Sequence, residues 1–407
     1  MNANTFMKKL LAVVLVCTMA VCAVFGMTSC KKKSSDTIKI GFSGPLTGDA
    51  AVYGIAVRNS AKLAVDEINA IEEAGGEGTL GMKFELMFTD DKHDATLVAN
   101  NYANLFEDGM QISLGTVTTA PGLEFKELSK EDNVFVLTPS ASGDAIPEYS
   151  NTYQMCFADS NQGTASADLF NSDPSYAGKV IGIFYKSDDE YSTGIKDKFL
   201  DTLSDSFTVK QASFKGKESN FASQIEELKG CDIIFMPIYY TPASQFMYQA
   251  KDTVKANATY FGCDGLDGID AIDGFDITTI PQKVSYLSHF NSNATTGAAA
   301  EFIAKYNASY DEVKEPLNQF GASAYDCVYA IYEALKFAKA KGVEFSTDTS
   351  AADFCNILTA VFNDSTFVFK GVTGKAEADG YSRISWNASG FVDKEAVPYV
   401  VKECTAA

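Results

Sequence analysis

Several short apolar runs in the 407-residue sequence end in side chains that can bind a small solute. Hydroxyl-rich turns follow two of the runs, at residues 116–119 and 140–142, and an acid, Asp264, follows a third. Tyrosines occupy the same position after other runs, namely Tyr191, Tyr239 and Tyr240. Hydroxyls and backbone N–H groups can bind a carboxylate, an acid can balance an ammonium group, and rings can shield an apolar side chain. Together these residue types favour a zwitterionic amino acid as the ligand.

The turn at Thr118 and Thr119 is the best candidate for the carboxylate site, because it leads directly into a predicted helix. The first N–H groups of a helix have no partner within it, and the helix dipole is positive at that end. Each residue also has a purely structural interpretation. Serine and threonine are common helix caps, a tyrosine after a strand often only packs, and Asp264 can be an ordinary turn residue.

Strand-like and helix-like segments alternate through most of the chain, a pattern typical of parallel sheets with helices on both faces. In the first half the predicted strands are 37–41, 83–89, 111–115 and 134–138, and the predicted helices are 53–70, 94–108 and 121–131. In the second half the strands are 180–185, 207–213, 232–238 and 260–262, and the helices are 192–203, 220–229, one opened by Thr241 as cap and Pro242 as first residue, 295–309 and 321–340. Such sheets bind ligands beyond the carboxyl ends of their strands. The two runs predict two doubly wound α/β lobes, which also suits a chain this long.

The N-terminal segment has the layout of a secretory signal peptide, and residues 1–29 are predicted to be removed. Lys8 and Lys9 precede an apolar run at residues 10–25, which is short for a membrane-spanning helix. Small residues then lead to Cys30, an arrangement similar to a bacterial lipobox, so Cys30 is predicted to carry lipid. Residues 30–36 would form a polar tether. A plain signal peptide followed by an incidental cysteine is the alternative.

The charge of the chain argues against a nucleic-acid partner. The formal net charge is −20, and it becomes −22 when Lys8 and Lys9 leave with the signal peptide. Binding to phosphates requires clustered Lys and Arg. An apolar content of 46% indicates a packed globular protein, which we expect to be a monomer.

Neither a metal site, a cofactor nor catalysis is expected. The six cysteines after Cys30 form no C-x-x-C pair and mostly lie in apolar runs, so buried free thiols are predicted for Cys156, Cys231, Cys263, Cys327, Cys355 and Cys404. Disulfides are the alternative, since export permits them, but the sequence assigns no pairing. The chain has two histidines, His93 and His289, and neither belongs to a nucleophile–base or metal motif. No Gly-rich phosphate loop with a lysine is present.

Several motifs together resemble the leucine/isoleucine/valine-binding proteins of branched-chain amino acid ABC transporters, over nearly the whole chain after residue 36. The matching segments, in chain order, are 38–48 (IKIGFSGPLTG), 53–54 (YG), 64–69 (AVDEIN), 89–91 (TDD), 137–142 (LTPSAS), 159–163 (DSNQG), 191–194 (YSTG) and 260–265 (YFGCDG). The resemblance implies the type I periplasmic-binding-protein fold, in which two parallel-sheet lobes are joined by a three-strand hinge.

The resemblance also implies a role for each site residue. Thr119, with Thr118 beside it, would hold the ligand carboxylate, and Ser142 would supply a second hydroxyl. The Ala141 carbonyl would accept from the ammonium group, which Asp264 would balance where other members have Glu. The rings expected to line the pocket are Tyr53, Tyr191, Tyr239 and Phe320, with Tyr240 as a substitute for Tyr239. Lys92-His93-Asp94 stands where other members have a disulfide cysteine, which implies that this disulfide is absent. Tyr53 in place of Trp and the shorter Asp264 leave the ligand open: branched-chain, aromatic, small polar or not an amino acid.

The resemblance further implies the lobe boundaries and the function. The N-terminal lobe would comprise residues 37–157 plus 290–371 and the C-terminal lobe 158–289 plus 372–407, with crossovers near 157–159, 285–289 and 371–374. The expected function is an exported, lipid-anchored solute-binding component of an ABC importer that delivers an amino acid to a membrane permease. The alternatives are a ligand-binding sensor component and a binder of another small solute such as an amide.

Overall fold

The computed structural model describes residues 37–403. The predictions for the signal peptide, for the lipidated Cys30, for the tether and for Cys404 lie outside the described residues. Within the described part of the chain, none of the helices is both long and apolar enough to cross a membrane.

The first sheet has five parallel strands in the order β2-β1-β3-β4-β5. Its strands are β1 (Thr37–Gly44), β2 (Lys83–Asp90), β3 (Ile112–Ser113), β4 (Phe135–Thr138) and β5 (Thr152–Gln154). The third strand is shorter than the predicted 111–115. It stops because Gly115 adopts a positive φ of 63°, which turns the backbone out of the sheet.

The second sheet has the order β13-β10-β9-β8-β6-β7, and all its neighbours are parallel except β13, which pairs antiparallel with β10 at the edge. Its strands are β6 (Val180–Lys186), β7 (Thr208–Phe214), β8 (Ile233–Met236), β9 (Thr259–Gly262), β10 (Lys283–Ser288) and β13 (Val397–Lys402). A separate hairpin joins β11 (Phe369–Ala376) to β12 (Ser382–Ile384). The predicted parallel α/β architecture is therefore confirmed.

Ten α-helices connect these strands within residues 37–403. They are α1 (Ala51–Ala74), α2 (Val98–Glu107), α3 (Thr119–Glu131), α4 (Asp159–Ser172), α5 (Glu190–Thr202), α6 (Ala222–Leu228), α7 (Tyr240–Ala250), α8 (Gly297–Ser309), α9 (Gln319–Ala340) and α10 (Ala351–Phe362). Helices α1 and α9 approach closely at Gly321, where an added Cβ would lie 3.0 Å from the Ala56 carbonyl oxygen.

The predicted cap of α7 is wrong. The helix begins at Tyr240, and Tyr239 is its extended N-cap residue, so Thr241 and Pro242 already lie in the first turn. The Thr241 hydroxyl instead donates to the Asp49 carbonyl at 2.8 Å. That contact links α7 to the loop before α1 and explains why a polar residue is placed there.

The segments predicted as crossovers meet beside the two sheets. The Phe157 ring packs edge-on against the His289 ring, with centroids 5.0 Å apart. The Gly374 N–H donates to the His289 carbonyl at 2.6 Å. After this point the chain still contacts the first sheet, since the Trp386 indole donates to the Gln154 carbonyl at 2.7 Å, and it joins the second sheet at β13. The lobe boundaries themselves stay a prediction.

The cysteines in the described part of the chain, Cys156, Cys231, Cys263, Cys327 and Cys355, are free and buried. This confirms the prediction of buried thiols for these five. Among residues 37–403 no group of His, Cys, Asp and Glu side chains is arranged to hold a metal ion.

Asp326 on α9 fastens the β11–β12 hairpin to the protein. Its buried carboxylate accepts from the Val372 and Thr373 N–H groups, both at 2.9 Å, and from the Thr373 hydroxyl. We expect Asp326→Asn to lower the free energy of unfolding by about 1–3 kcal/mol, because one of the two acceptor oxygens is lost. Urea denaturation measures this. Asp348→Asn, at an exposed position, is the control, and equal stabilities of the two variants would contradict the assignment.

Candidate functional site

At the start of α3, the N-cap side chain does not accept hydrogen bonds from the first backbone N–H groups of the helix. Thr118 is the extended N-cap residue, but its side chain makes no capping bond to the helix. Its hydroxyl is instead 2.8 Å from Nδ1 of His93. Because Pro121 has no N–H, the Thr119 and Ala120 amides are the N–H groups at this positive helix end. The buried Thr119 hydroxyl has no hydrogen-bond partner in the described chain.

His93 was not predicted as a site residue. It lies in the turn after β2 with a left-handed φ of 61°, and its ring packs edge-on against the Tyr239 ring at 4.8 Å. Burial, with a further contribution from the charge of Lys186, lowers the pKa of His93 to about 4. The imidazole is therefore neutral near pH 7 and serves as a hydrogen-bonding partner for Thr118 rather than as a cation.

The turn after β4 is fixed by hydrogen bonds from two sides. The Ser142 carbonyl accepts from the Asp159 N–H at 2.8 Å, which places this turn against the start of α4. The Ala141 carbonyl accepts from the side-chain amide of Gln154 at 2.9 Å. Ala141 is fully buried and packs near Gly122 of α3, where an added Cβ would lie 2.9 Å from the Ala141 Cβ. Since a carbonyl oxygen can accept from a second donor, the contact of Ala141 with a ligand ammonium group stays a prediction.

Asp264 follows β9 and is almost completely buried, with 2% of its surface exposed. One carboxylate oxygen, Oδ1, accepts from the Tyr191 hydroxyl at 2.7 Å, and the Asp264 N–H donates to Oε1 of Gln162 at 2.9 Å. The other oxygen, Oδ2, is buried and has no hydrogen-bond partner among residues 37–403. Burial raises the pKa of Asp264 to about 7, although the Tyr191 and Gln162 side chains oppose this.

Asp159, the first residue of α4, is a second buried acid that the sequence reasoning did not assign a role. It is 2% exposed, and its Oδ1 also lacks a hydrogen-bond partner in the described part of the protein. Burial raises its pKa well above the usual value; the Ser142 hydroxyl opposes this, and the negative charge of Asp264 raises the pKa further. The only signal in the sequence was its place in the segment 159–163.

Aromatic rings fill the space between these polar groups. Tyr191 and Tyr239 are stacked, with centroids 4.5 Å apart, and burial raises the pKa of both hydroxyls. A hydrogen bond from the Thr119 N–H lowers the pKa of Tyr239, so the Tyr239 hydroxyl lies near the start of α3. This hydroxyl is buried without a partner of good geometry in the described residues. Two strand ends from different sheets therefore meet at Tyr239.

Tyr53 of α1 closes the opposite side. Its hydroxyl donates to the Gly265 carbonyl at 2.5 Å, which directly joins the first α/β unit to the loop after β9. Its ring packs edge-on against Phe320 at 4.8 Å and Tyr240 at 4.6 Å. Tyr239, and not its suggested substitute Tyr240, lies with the polar groups, because the Tyr240 hydroxyl accepts from the Val52 N–H at 3.3 Å.

The comparisons with known proteins agree with this architecture. Residues 37–376 match the family model described as periplasmic binding protein. The chain belongs to the periplasmic binding protein family. A Leu/Ile/Val-binding protein of Rhizobium johnstonii is 26% identical over 365 residues, which covers 88% of this chain and 94% of that protein.

Two solved structures of substrate-binding proteins have the same fold as this periplasmic binding protein. A branched-chain amino acid transporter protein of Streptococcus pneumoniae, in complex with isoleucine, has a TM-score of 0.69 and 26% identity, over 89% of this chain and 100% of that chain. An ABC-transporter solute-binding protein of R. palustris, in complex with benzoate, has a TM-score of 0.70 and 18% identity, over 90% and 94%. The predicted type I periplasmic-binding-protein fold and family are thereby confirmed.

In this family member, most of the predicted site residues lie together. Thr119, Tyr191, Tyr239 and Asp264 form one continuous group, Tyr53 and Phe320 close one side, and Thr118 and Ser142 touch the group through His93 and Asp159. The buried side-chain atoms without a hydrogen-bond partner in the described chain include five here: Thr119 Oγ1, Asp159 Oδ1, Gln162 Nε2, Tyr239 Oη and Asp264 Oδ2. Since such atoms are costly to bury unpaired, their clustering is typical of a ligand-binding site.

Proposed function

We propose that this protein binds an amino acid, branched-chain or related, between its two α/β units and delivers it to an ABC importer. The observation that supports this most is that buried groups of opposite polarity, without hydrogen-bond partners in the described chain, lie with the stacked rings of Tyr191 and Tyr239. The amide end of α3 with Thr119 lies on one side, and the free Oδ2 of Asp264 lies on the other. The carboxylate of the ligand would bind the former and its ammonium group the latter.

The proposed mechanism is a hinged clamp. Thr119 begins the helix that follows β3 of the first sheet, and Asp264 follows β9 of the second sheet, so a ligand that contacts both would stabilise the closed arrangement. The importer permease would recognise this closed form. Tyr191 and Tyr239 would cover the ligand side chain and exclude water, which strengthens both polar contacts.

We further propose that the protein is extracytoplasmic. Residues 1–29 would be removed as a signal peptide, and lipid on Cys30 would anchor the protein to the membrane. The layout of the N-terminal segment and the relationship to periplasmic binding proteins support this. A permease is the expected partner and nucleic acid is not, given the net charge of −20. No catalytic role is proposed.

A different solute or a sensor role is the second candidate. The benzoate complex of the R. palustris protein favours considering an amine-free carboxylate, since that protein shares the fold. An amino acid differs from such a ligand because its ammonium group can donate to the unpaired oxygens of Asp159 and Asp264. A sensor would bind the same ligand but would couple to a receptor rather than to a permease.

A thermal-shift screen over the twenty amino acids and small amides tests the ligand class. We expect one or a few amino acids, at about 100 times their dissociation constant, to add roughly 2.7 kcal/mol to the free energy of unfolding. D-glucose serves as the control solute and should leave the melting temperature unchanged. A complete absence of shifts with amino acids and amides would contradict the proposed ligand class.

A further inference from the structure

His93 connects the two α/β units beside the candidate site. It lies in the turn after β2 of the first sheet, where its Nδ1 is 2.8 Å from the Thr118 hydroxyl. Its ring packs edge-on against the ring of Tyr239, which follows β8 of the second sheet, with centroids 4.8 Å apart. The residue is partly exposed, which places it at the rim of the site. One imidazole ring therefore contacts both units.

The turn that carries His93 is held by the first unit alone. Lys92 and His93 both have a left-handed backbone, with φ of 54° and 61°, a conformation that residues other than glycine rarely adopt. The buried Asp91 carboxylate accepts from the His93 N–H at 2.9 Å and from the Ser43 hydroxyl at 3.2 Å. Because these groups belong to one unit, the turn would keep its shape if the units separated. The imidazole would then lose its cover and meet water.

The groups around the imidazole disfavour its charged form. Burial and then the positive charge of Lys186, at the end of β6 in the second sheet, lower the pKa of His93 to about 4, whereas Asp49 and Asp94 act in the opposite direction. The Tyr239 hydroxyl is uncharged, because burial raises its pKa. The cover by the Tyr239 ring and the charge of Lys186 both come from the second unit. In an open form, the pKa of His93 would therefore return towards its ordinary value of about 6.5.

We propose that His93 is a positioning residue for closure: its neutral imidazole lets the two units close over the solute, and its protonated form opposes this closure. The inference rests on the proposed binding between the two units and gives His93 no contact with the solute. Since the closed form has the lower His93 pKa, closure releases a proton between about pH 4 and pH 6.5. The contribution of His93 to closure is complete above this range. It decreases as the pH falls, and affinity falls with it, by up to about tenfold at pH 5.5.

Other buried groups titrate in the same range, so the pH profile of the wild type alone does not isolate His93. Burial raises the pKa of Asp264 to about 7 and the pKa values of Asp91 and Asp267 to about 6. All three acids remain in a variant of His93, and their effects cancel when the variant is compared with the wild type. The other histidine, His289, is buried, and burial lowers its pKa well below the ordinary value.

The test compares the wild type with His93→Asn and, as a matched control, Lys92→Asn. Asparagine tolerates the left-handed backbone of this turn, and its side-chain amide can bond to Thr118 as Nδ1 does, but it does not titrate. Lys92 shares the left-handed conformation and is exposed. The probe is the amino acid with the largest thermal shift among the twenty. Calorimetric titration from pH 8 to pH 5 measures the affinity, and NMR of the imidazole C–H signals measures the pKa of His93 with and without that amino acid.

We expect His93→Asn to lose up to about fivefold in affinity at pH 8, where only the ring contact with Tyr239 is missing. Between pH 8 and pH 5.5 it should then lose up to about ten times less affinity than the wild type, whereas Lys92→Asn should follow the wild type. The pKa of His93 should be near its ordinary value of about 6.5 in the free protein and below about 5.5 with the amino acid bound.

Two results would overturn this inference and leave the proposed function intact. One is a His93 pKa that does not change when the amino acid binds. The other is a His93→Asn affinity that falls with pH as the wild-type affinity does, because a merely structural role lowers the affinity equally at every pH. A wild type that binds none of the twenty amino acids would overturn the proposed function and this inference together.

Discussion

Replacing Asp264 with alanine is expected to weaken amino-acid binding by about 2–5 kcal/mol. The variant removes the carboxylate that faces the proposed ammonium group and leaves the Tyr191 hydroxyl, now 2.7 Å from Asp264 Oδ1, without its acceptor. Most of the loss should appear as faster dissociation, since a buried charge pair is broken. Calorimetric titration with the amino acid that gives the largest thermal shift measures the affinity.

Asp270→Ala is the matched control for this substitution. Asp270 follows in the same loop, but it is exposed, so its removal should change the affinity by less than about 0.5 kcal/mol. An unchanged affinity in Asp264→Ala would remove Asp264 from the site. Equal losses in both variants would indicate an effect of overall charge instead of a direct contact.

The second large effect is expected on stability. Tyr53→Ala should lower the free energy of unfolding by about 3–5 kcal/mol. The Tyr53 side chain is fully buried, and its ring contacts Phe320, Tyr240 and Tyr239 at centroid distances of 4.8, 4.6 and 6.1 Å. Its loss leaves a cavity and a carbonyl at Gly265 without a donor. Urea denaturation of the ligand-free protein measures the change.

Tyr53→Phe separates the ring from the hydroxyl in this prediction. The ring contacts stay, but the hydroxyl's bond to the Gly265 carbonyl and the bond that it accepts from the Tyr240 N–H are lost, so a decrease of about 1–3 kcal/mol is expected. If Tyr53→Ala cost no more than Tyr53→Phe, the ring would not be a packed element between the two units.

The alternation of strands and helices could be predicted from the sequence because each element has its own apolar pattern. The Thr119 turn and Asp264 could each be predicted to follow a strand, because ligands bind beyond the carboxyl ends of parallel strands, although the two strands belong to different sheets. The antiparallel edge strand β13 could not, because its pairing with β10 depends on where the chain returns after the hairpin.

Residues whose role depends on a tertiary contact were missed. His93 reaches Thr118 only through two consecutive left-handed residues, Lys92 and His93, and no local pattern requires that conformation. The hydrogen bond from Gln154 to the Ala141 carbonyl was missed because Gln154 lies on a strand that was not predicted. Asp159 stood in a recognised segment, yet its unpaired oxygen is apparent only once its neighbours are placed.

The segments around Phe157, His289 and Gly374 contact one another laterally. Phe157 and His289 share a ring contact, and Gly374 donates a backbone hydrogen bond to His289. In the proposed hinge, contacts of this kind would resist sliding of one α/β unit past the other and leave bending across all three segments as the easier motion. Solute entry and exit would then follow a single rotational path, and the two walls would regain the same register each time they meet. A substitution that removes one of these contacts would make that alignment less uniform. It would weaken solute binding without changing any group that binds the solute.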